Sequence, residues 1–125
     1  MTRWLVDGMN VIGSRPTGWW RNRRGAMREL VGALERFGEA TGDELTVVFD
    51  GRPFELEAPT RHVSVEFASR RGRDAADDDI ARLVESDPDP ASLIVATSDS
   101  DLAERARRGG AGVIGAGQFR RRLER

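Results

Sequence analysis

The feature that most constrains this chain is a repeated alternation of short apolar runs with stretches of helical spacing. Arg3-Trp-Leu-Val-Asp7, Leu45-Thr-Val-Val-Phe49 and Leu93-Ile-Val-Ala96 read as buried strands, and Val113-Ile114 as a shorter fifth one. His62 to Phe67 alternates, with Val63, Val65 and Phe67 on one face, which predicts a half-exposed edge strand. Between the strands, Met27, Leu30, Val31, Leu34 and Phe37 recur at three and four, so a helix is predicted from about Arg21 to Thr41, stopped by Gly42. Further helices are predicted over about 75–85 (stripe Ala76, Ile80, Leu83, Val84), 101–108 and 118–123, and a loop over Gly8 to Gly18. Strands that alternate with helices favour a mostly parallel sheet covered on both faces. At 125 residues, with no repeat or linker, one domain over 1–125 is expected.

Three of these runs end alike. Val6-Asp7, Phe49-Asp50 and Thr97-Ser98-Asp99 each place an Asp just past a strand. In open parallel sheets ligands bind at the carboxyl ends of the strands. Residues distant in sequence therefore converge there. A single Asp in such a place is ordinarily a helix cap or a turn former, and Asp99, Asp101 and Asp50-Gly51 all suit that role. The same use at three separate strand ends is a poorer explanation. A fourth acidic group, Asp74, Asp77, Asp78 and Asp79, opens a helix, where carboxylates also offset the helix dipole. On a helical wheel Asp78 lies opposite the apolar stripe and is expected to face water. Asp77 and Asp79 flank the stripe, and either could reach the sheet edge. Carboxylates gathered in one crevice repel one another unless protonated, paired with Arg or bound to a cation. Hard oxygen ligands, no Cys and a single His favour Mg²⁺ or Mn²⁺ over zinc. Such an ion can activate a water and clamp a scissile phosphate.

Composition narrows the classes further. With no cysteine, disulfide scaffolds, cysteine-rich zinc sites and thiol nucleophiles are excluded. No signal-like segment opens the chain and no run approaches a membrane span, so a cytoplasmic protein is expected. The formal net charge is −1, which gives no global basic footprint. Every basic residue is Arg, a planar donor suited to phosphates and to stacking. A Walker A motif is impossible without Lys. Gly110-Ala-Gly112-Val-Ile-Gly115 fits GxGxxG only by count, because it follows a helix and overlaps a strand. Asp7-Gly8-Met9 lacks the second Asp of an aspartate-nucleophile phosphatase. His62 reads as an edge-strand residue rather than a catalytic base.

Taken in order, Val6-Asp7-Gly8-Met9-Asn10-Val11-Ile12-Gly13, Val48-Phe49-Asp50, Ala76-Asp77-Asp78 and Thr97-Ser98-Asp99-Ser100-Asp101 resemble the successive motifs of NYN domains, within the PIN-like nuclease superfamily. The similarity is to the YacP-like branch, and Gly115 to Leu123 resembles its Phe/Arg/Leu tail. Each motif alone is weak; their order and spacing are more specific, and they span nearly the whole chain. The resemblance implies an α/β fold, a Rossmann-like three-layer α/β/α sandwich with about five mostly parallel strands. It also implies metal-dependent RNA cleavage or RNA binding. Carried over, Asp7, Asp50, Asp77 and Asp99 look like the metal-binding, catalytic acids, Asp77 being the one that follows Ala and precedes the acidic pair before Ile80. Asn10 looks like the polar member of the first motif, able to orient a water or a phosphate oxygen, and Ser98 and Asp78 accompany the acids. Asp101 matches the second acid of the Ser-Asp-Ser-Asp form, which YacP-like members often lack. The chain is shorter than typical YacP-like proteins, and some of their substrate-contacting segments are expected to be absent.

Two Arg-rich segments are candidate RNA contacts. Trp19-Trp20-Arg21-Asn22-Arg23-Arg24 mixes aromatics with Arg21, Arg23 and Arg24, which can stack bases and grip phosphates, although the tryptophans could equally cover a helix end. Arg70, Arg71 and Arg73 precede the Asp77 helix. The leading expectation is a metal-dependent ribonuclease with RNA as partner, as a monomer or homodimer. The alternatives are a non-catalytic RNA-binding module of the same fold and a small-nucleotide phosphohydrolase. A complete set of four acids favours hydrolysis, since a pure binder gains little by repelling the phosphate backbone.

Overall fold

The structure is a computed structural model that describes residues 2–56, 60–69, 72 and 74–125. Five strands form one sheet: β1 (Arg3–Asp7), β2 (Glu44–Phe49), β3 (Val63–Phe67), β4 (Leu93–Ala96) and β5 (Gly112–Ile114). Their order is β3-β2-β1-β4-β5, and every pairing is parallel. The alternating β3 lies at the edge, as its pattern predicts. The helices are α1 (Gly8–Ile12), α2 (Arg23–Thr41), α3 (Ala75–Ser86), α4 (Ser100–Arg108) and α5 (Ala116–Leu123). No described helix is long and apolar enough to cross a membrane.

Alternation along the strands sorts the core into two layers. Trp4, Val6, Val47 and Phe49 point to the face covered by α1, α2 and α5 through Val11, Leu30, Leu34 and Phe119. Leu5, Val48 and Val95 point to the opposite face, under Ile80 and Val84 of α3 and Leu102 and Ala106 of α4. This is the expected three-layer α/β/α sandwich. Gly42, in the left-handed region at φ 77°, ends α2, and its N–H closes onto the Gly38 carbonyl.

Two local expectations need correction. Gly8 to Gly18 is not all loop: the chain turns directly from β1 into α1. Gly8 permits this because its Cα lies against Phe49, where an added Cβ would sit 2.5 Å from Cε1 of that ring. The helix predicted from Arg21 begins as a 3-10 turn over Trp19–Asn22, and α2 proper starts at Arg23, where the Asn22 side chain accepts from Gly25 N–H at 3.1 Å.

Candidate metal centre

The same alternation that sorts the core also builds the crevice. Asp7 follows Leu5 by two residues, Asp50 follows Val48, and Thr97 follows Val95. All three therefore continue onto the α3/α4 face, one step beyond the apolar layer. The sheet order reverses between β1 and β4, and at that switch point Asp7 and Thr97 meet. The Thr97 hydroxyl donates to Asp7 Oδ2 at 2.9 Å, and its oxygen accepts from Asp99 N–H at 3.1 Å. Asp7 and Thr97 are the only polar side chains among the described residues that are buried. Asp7 is 4% exposed.

Two of the strand-end acids are caps as well as crevice residues. Asp99 N-caps α4, with Oδ1 accepting from Leu102 N–H at 2.9 Å. Asp50 Oδ1 accepts from Ala76 N–H at 3.0 Å, so the end of β2 caps the first turn of α3. In both cases one carboxylate oxygen is used by the helix and the other is left for the crevice. Capping and ligand binding are thus compatible at these positions. Asp77, in the first turn of α3, faces the same space: its carboxyl is pushed up to about 7, by burial first and then by Asp7, Asp99, Asp74 and Asp50. Asp7 is pushed up to about 6, again chiefly by burial; the Thr97 hydroxyl opposes this, while Asp50 and Asp99 add to it.

Asp79 goes elsewhere. Its carboxylate accepts from Ser69 N–H at 2.6 Å and Ser69 Oγ at 2.8 Å and pairs with Arg82, away from the other acids. Burial tends to raise Asp79, but these partners outweigh it and hold the carboxyl low. Asp78, expected to face water, instead reaches across to α4, where Arg105 Nη1 donates to Oδ1 at 2.9 Å. Asp101 lies exposed on the first turn of α4. Asn10 and Ser98 join the loops around the crevice: Ser98 N–H donates to Asn10 Oδ1 at 2.8 Å, and Ser98 Oγ accepts from Ala116 N–H, at the start of α5, at 2.9 Å.

One further crevice residue was named from sequence only within the acidic run that opens α3, not among the four carried-over acids. Asp74, the N-cap position of α3, brings a carboxylate oxygen within 4.8 Å of ligand atoms of Asp77 and Asp99. It is also the only non-glycine residue with positive φ among those described, at 63°. Such a conformation costs about 1 kcal/mol and is best tolerated by Asn and Asp. The sequence signal is the run Gly72-Arg-Asp74 before a helix, where a left-handed residue can turn the chain.

Among the described residues no Arg forms an ion pair with Asp7, Asp50, Asp74, Asp77 or Asp99. Arg23, beside them, gives its Nη2 to the Asp50 carbonyl oxygen at 3.1 Å and not to a carboxylate. Arg24 lies over the Phe54 ring at 4.7 Å, and Arg21 is exposed in the 3-10 turn. Arg71 and Arg73, with Arg70, lie outside the described residues. An all-oxygen donor set, with Asp7 and Asp77 raised and no cationic partner among the described residues, fits a hard divalent ion.

Residues 4–125 match the YacP-like NYN domain. The chain belongs to this family. Two solved structures agree with it. Rae1 (YacP) from Bacillus subtilis superposes with a TM-score of 0.79 at 27% identity, covering 99% of this chain and 74% of that one. A mutant form of the same protein gives 0.80 at 28% identity, covering 98% and 74%. No curated protein matches this chain significantly. NYN domains are in general nucleases, and the carboxylate crevice of this YacP-like domain lies where a Rossmann-like sheet offers its ligand site.

Proposed function

We propose that this YacP-like NYN domain is a metal-dependent ribonuclease that hydrolyses RNA phosphodiester bonds at the crevice between β1, β4 and α3. The observation that carries the reading is the convergence of carboxylates that have no cationic partner among the described residues, with Asp7 and Asp77 raised by burial and by their neighbours. Asp7, Asp50, Asp77 and Asp99 would hold Mg²⁺ or Mn²⁺. When bound, the ion supplies positive charge that polarises the phosphate and makes water a better nucleophile at neutral pH.

The remaining roles belong to the chain itself. Thr97 fixes the Asp7 carboxylate and, through its oxygen, the start of α4. The Asn10 side-chain oxygen is taken by Ser98 N–H, so its amide nitrogen is left to donate to a phosphate oxygen or a water. Ser98 holds that loop against α5. Arg21 and Arg23 supply fixed positive charge for phosphates flanking the cleaved bond. Arg24, over the Phe54 ring, can add a further phosphate contact, and Arg71 and Arg73 are proposed as RNA contacts from the sequence alone. Asp78 acts indirectly, by tying α3 to Arg105 of α4. Asp101 at the rim is a supporting acid for a second ion or for the attacking water.

The test is cleavage of labelled single-stranded and structured RNA in Mn²⁺, in Mg²⁺ and in EDTA. Wild type is compared with Asp7→Asn and Asp99→Asn. Cleavage that needs the divalent ion and falls at least about 100-fold in both variants is expected, a loss typical of removing a charged group that acts on the transition state. RNA binding without cleavage under any condition would overturn the proposal and leave a binding module. Release of inorganic phosphate from mononucleotides, with RNA uncut, would move the protein to the small-nucleotide phosphohydrolases.

A further inference from the structure

Trp20 is 59% exposed and is the only large hydrophobic side chain exposed among the described residues. It is not on a loose loop. Gly18, at φ 75°, starts the 3-10 turn that carries it, and Asn22 closes that turn by capping α2. Trp19 packs against the α2-side core, and the two indoles meet edge to face with centroids 6.0 Å apart. One tryptophan is therefore packed on the core and supports one edge of the other, which is otherwise largely in water. Arg23, three residues after Trp20 and first in α2, gives its Nη2 to the Asp50 carbonyl oxygen at 3.1 Å, so the turn that carries Trp20 leads directly to the rim of the acid crevice. Arg21 stands exposed between them in sequence, and neither Arg21 nor Arg23 forms an ion pair among the described residues.

We propose that Trp20 is a base-stacking platform that selects unpaired RNA, holding one base beside the crevice while Arg21 and Arg23 take the adjoining phosphates. The argument rests on the ribonuclease reading for its substrate. A buried tryptophan stabilises a fold; an exposed one, supported at one edge and flanked by cations, presents a flat π face with phosphate donors at its sides. A base inside a duplex is already stacked on both faces and cannot lie on a protruding ring, whereas an unpaired base can. The same geometry explains why a site with so many carboxylates could still hold a polyanion: attraction is placed on the rim, next to the repulsion it must offset.

The inference is tested on the full chain with Trp20→Ala and Trp20→Phe. Binding is read in EDTA with a fluorescent, unstructured oligouridine, with copies carrying one abasic residue at successive positions, and with a fully paired RNA duplex. Because the side chain is exposed, thermal stability of the variants should match wild type. Trp20→Ala should weaken oligouridine binding about tenfold, the scale of one lost base stack. Trp20→Phe should retain most of it, and duplex binding should not change. One abasic position should weaken wild type by a similar factor and Trp20→Ala not at all. Equal affinity of wild type and Trp20→Ala for oligouridine, or parallel losses on oligouridine and duplex, would overturn the inference; the first result would leave Trp20 as an anchor for a protein partner. The two readings fail separately. Absence of cleavage in Mn²⁺ with the stacking coupling intact removes the nuclease, and cleavage of single strands at the full rate by Trp20→Ala removes the platform.

Discussion

Asp7 is a side chain that the fold holds where a carboxylate is least comfortable. Its carboxyl is raised to about 6, and that of Asp77 to about 7, against an ordinary value of 3.8 in the unfolded chain. Folding therefore favours the protonated forms. The stability that this gives is complete below about pH 4 and is lost as pH rises through 6 and 7. For Asp7 alone the difference corresponds to roughly 3 kcal/mol. Other groups slope the opposite way: the Arg3 guanidinium holds Asp87 down to about 2, a contribution present above pH 4 and lost only in strong acid. A comparison of variants separates the two. In EDTA, Asp7→Asn should melt higher than wild type at pH 8 and close to it at pH 4, and Mg²⁺ at pH 8 should raise wild type while leaving the variant nearly unmoved. An unchanged melting difference across that range would refute the assignment. Thr97→Val removes both the donor to Asp7 and the acceptor for Asp99 N–H, so it should cost about 1–3 kcal/mol in urea denaturation and weaken Mn²⁺ binding in calorimetry, with Thr97→Ser restoring both. At this scale the sequence was informative up to a point. Helical spacing left Asp77 and Asp79 equivalent, because both flank the stripe; the family motif favoured Asp77, and in the folded chain Asp79 is taken up by Ser69 and Arg82. Asp74 was legible only as a member of the acidic run that opens α3, because its place in the crevice depends on a left-handed turn that no periodicity encodes.

The secondary-structure elements are tied together by the same residues. Asp50 joins the end of β2 to the first turn of α3, so the acid that faces the crevice also fixes the helix that carries Asp77. Asp50→Ala should therefore cost about 1 kcal/mol as a lost cap, in addition to its effect on cation binding; Asp50→Asn, which can still accept from Ala76 N–H, should keep the stability and lose the cation. Differential scanning calorimetry with and without Mg²⁺ distinguishes the two contributions. Gly8→Ala should destabilise by about 1–3 kcal/mol, since a methyl group there runs into Phe49 and forces α1 away from β2. Element positions were legible wherever three or more turns or four apolar residues gave a period, as in α2, α3, β2 and β4. The short α1 was not: five residues give no period, and the breakers Gly13, Pro16 and Gly18 that follow it suggest a loop. The capping alternative for the strand-end acids was correct for Asp99 and, across two elements, for Asp50, without excluding them from the crevice.

Across the whole molecule, parallel strands and two helical layers followed from the alternation of periods, and the edge position of β3 from its half-polar pattern. The strand order could not be read, because nothing in an apolar run names its neighbour. That order is what gives the crevice its character. β1 begins the chain but lies at the centre of the sheet, between β2 and β4. Asp7 and Thr97, which touch in the folded protein, are 90 residues apart. Until the fourth strand docks, Asp7 has no hydroxyl beside it and Asn10 has no Ser98 N–H to accept from. The pocket is thus complete only once that long-range pairing is made, and closing so long a loop costs chain entropy. Whatever undocks β4 therefore takes Thr97 and Asp99 away from Asp7 while β1, β2 and β3 can stay paired.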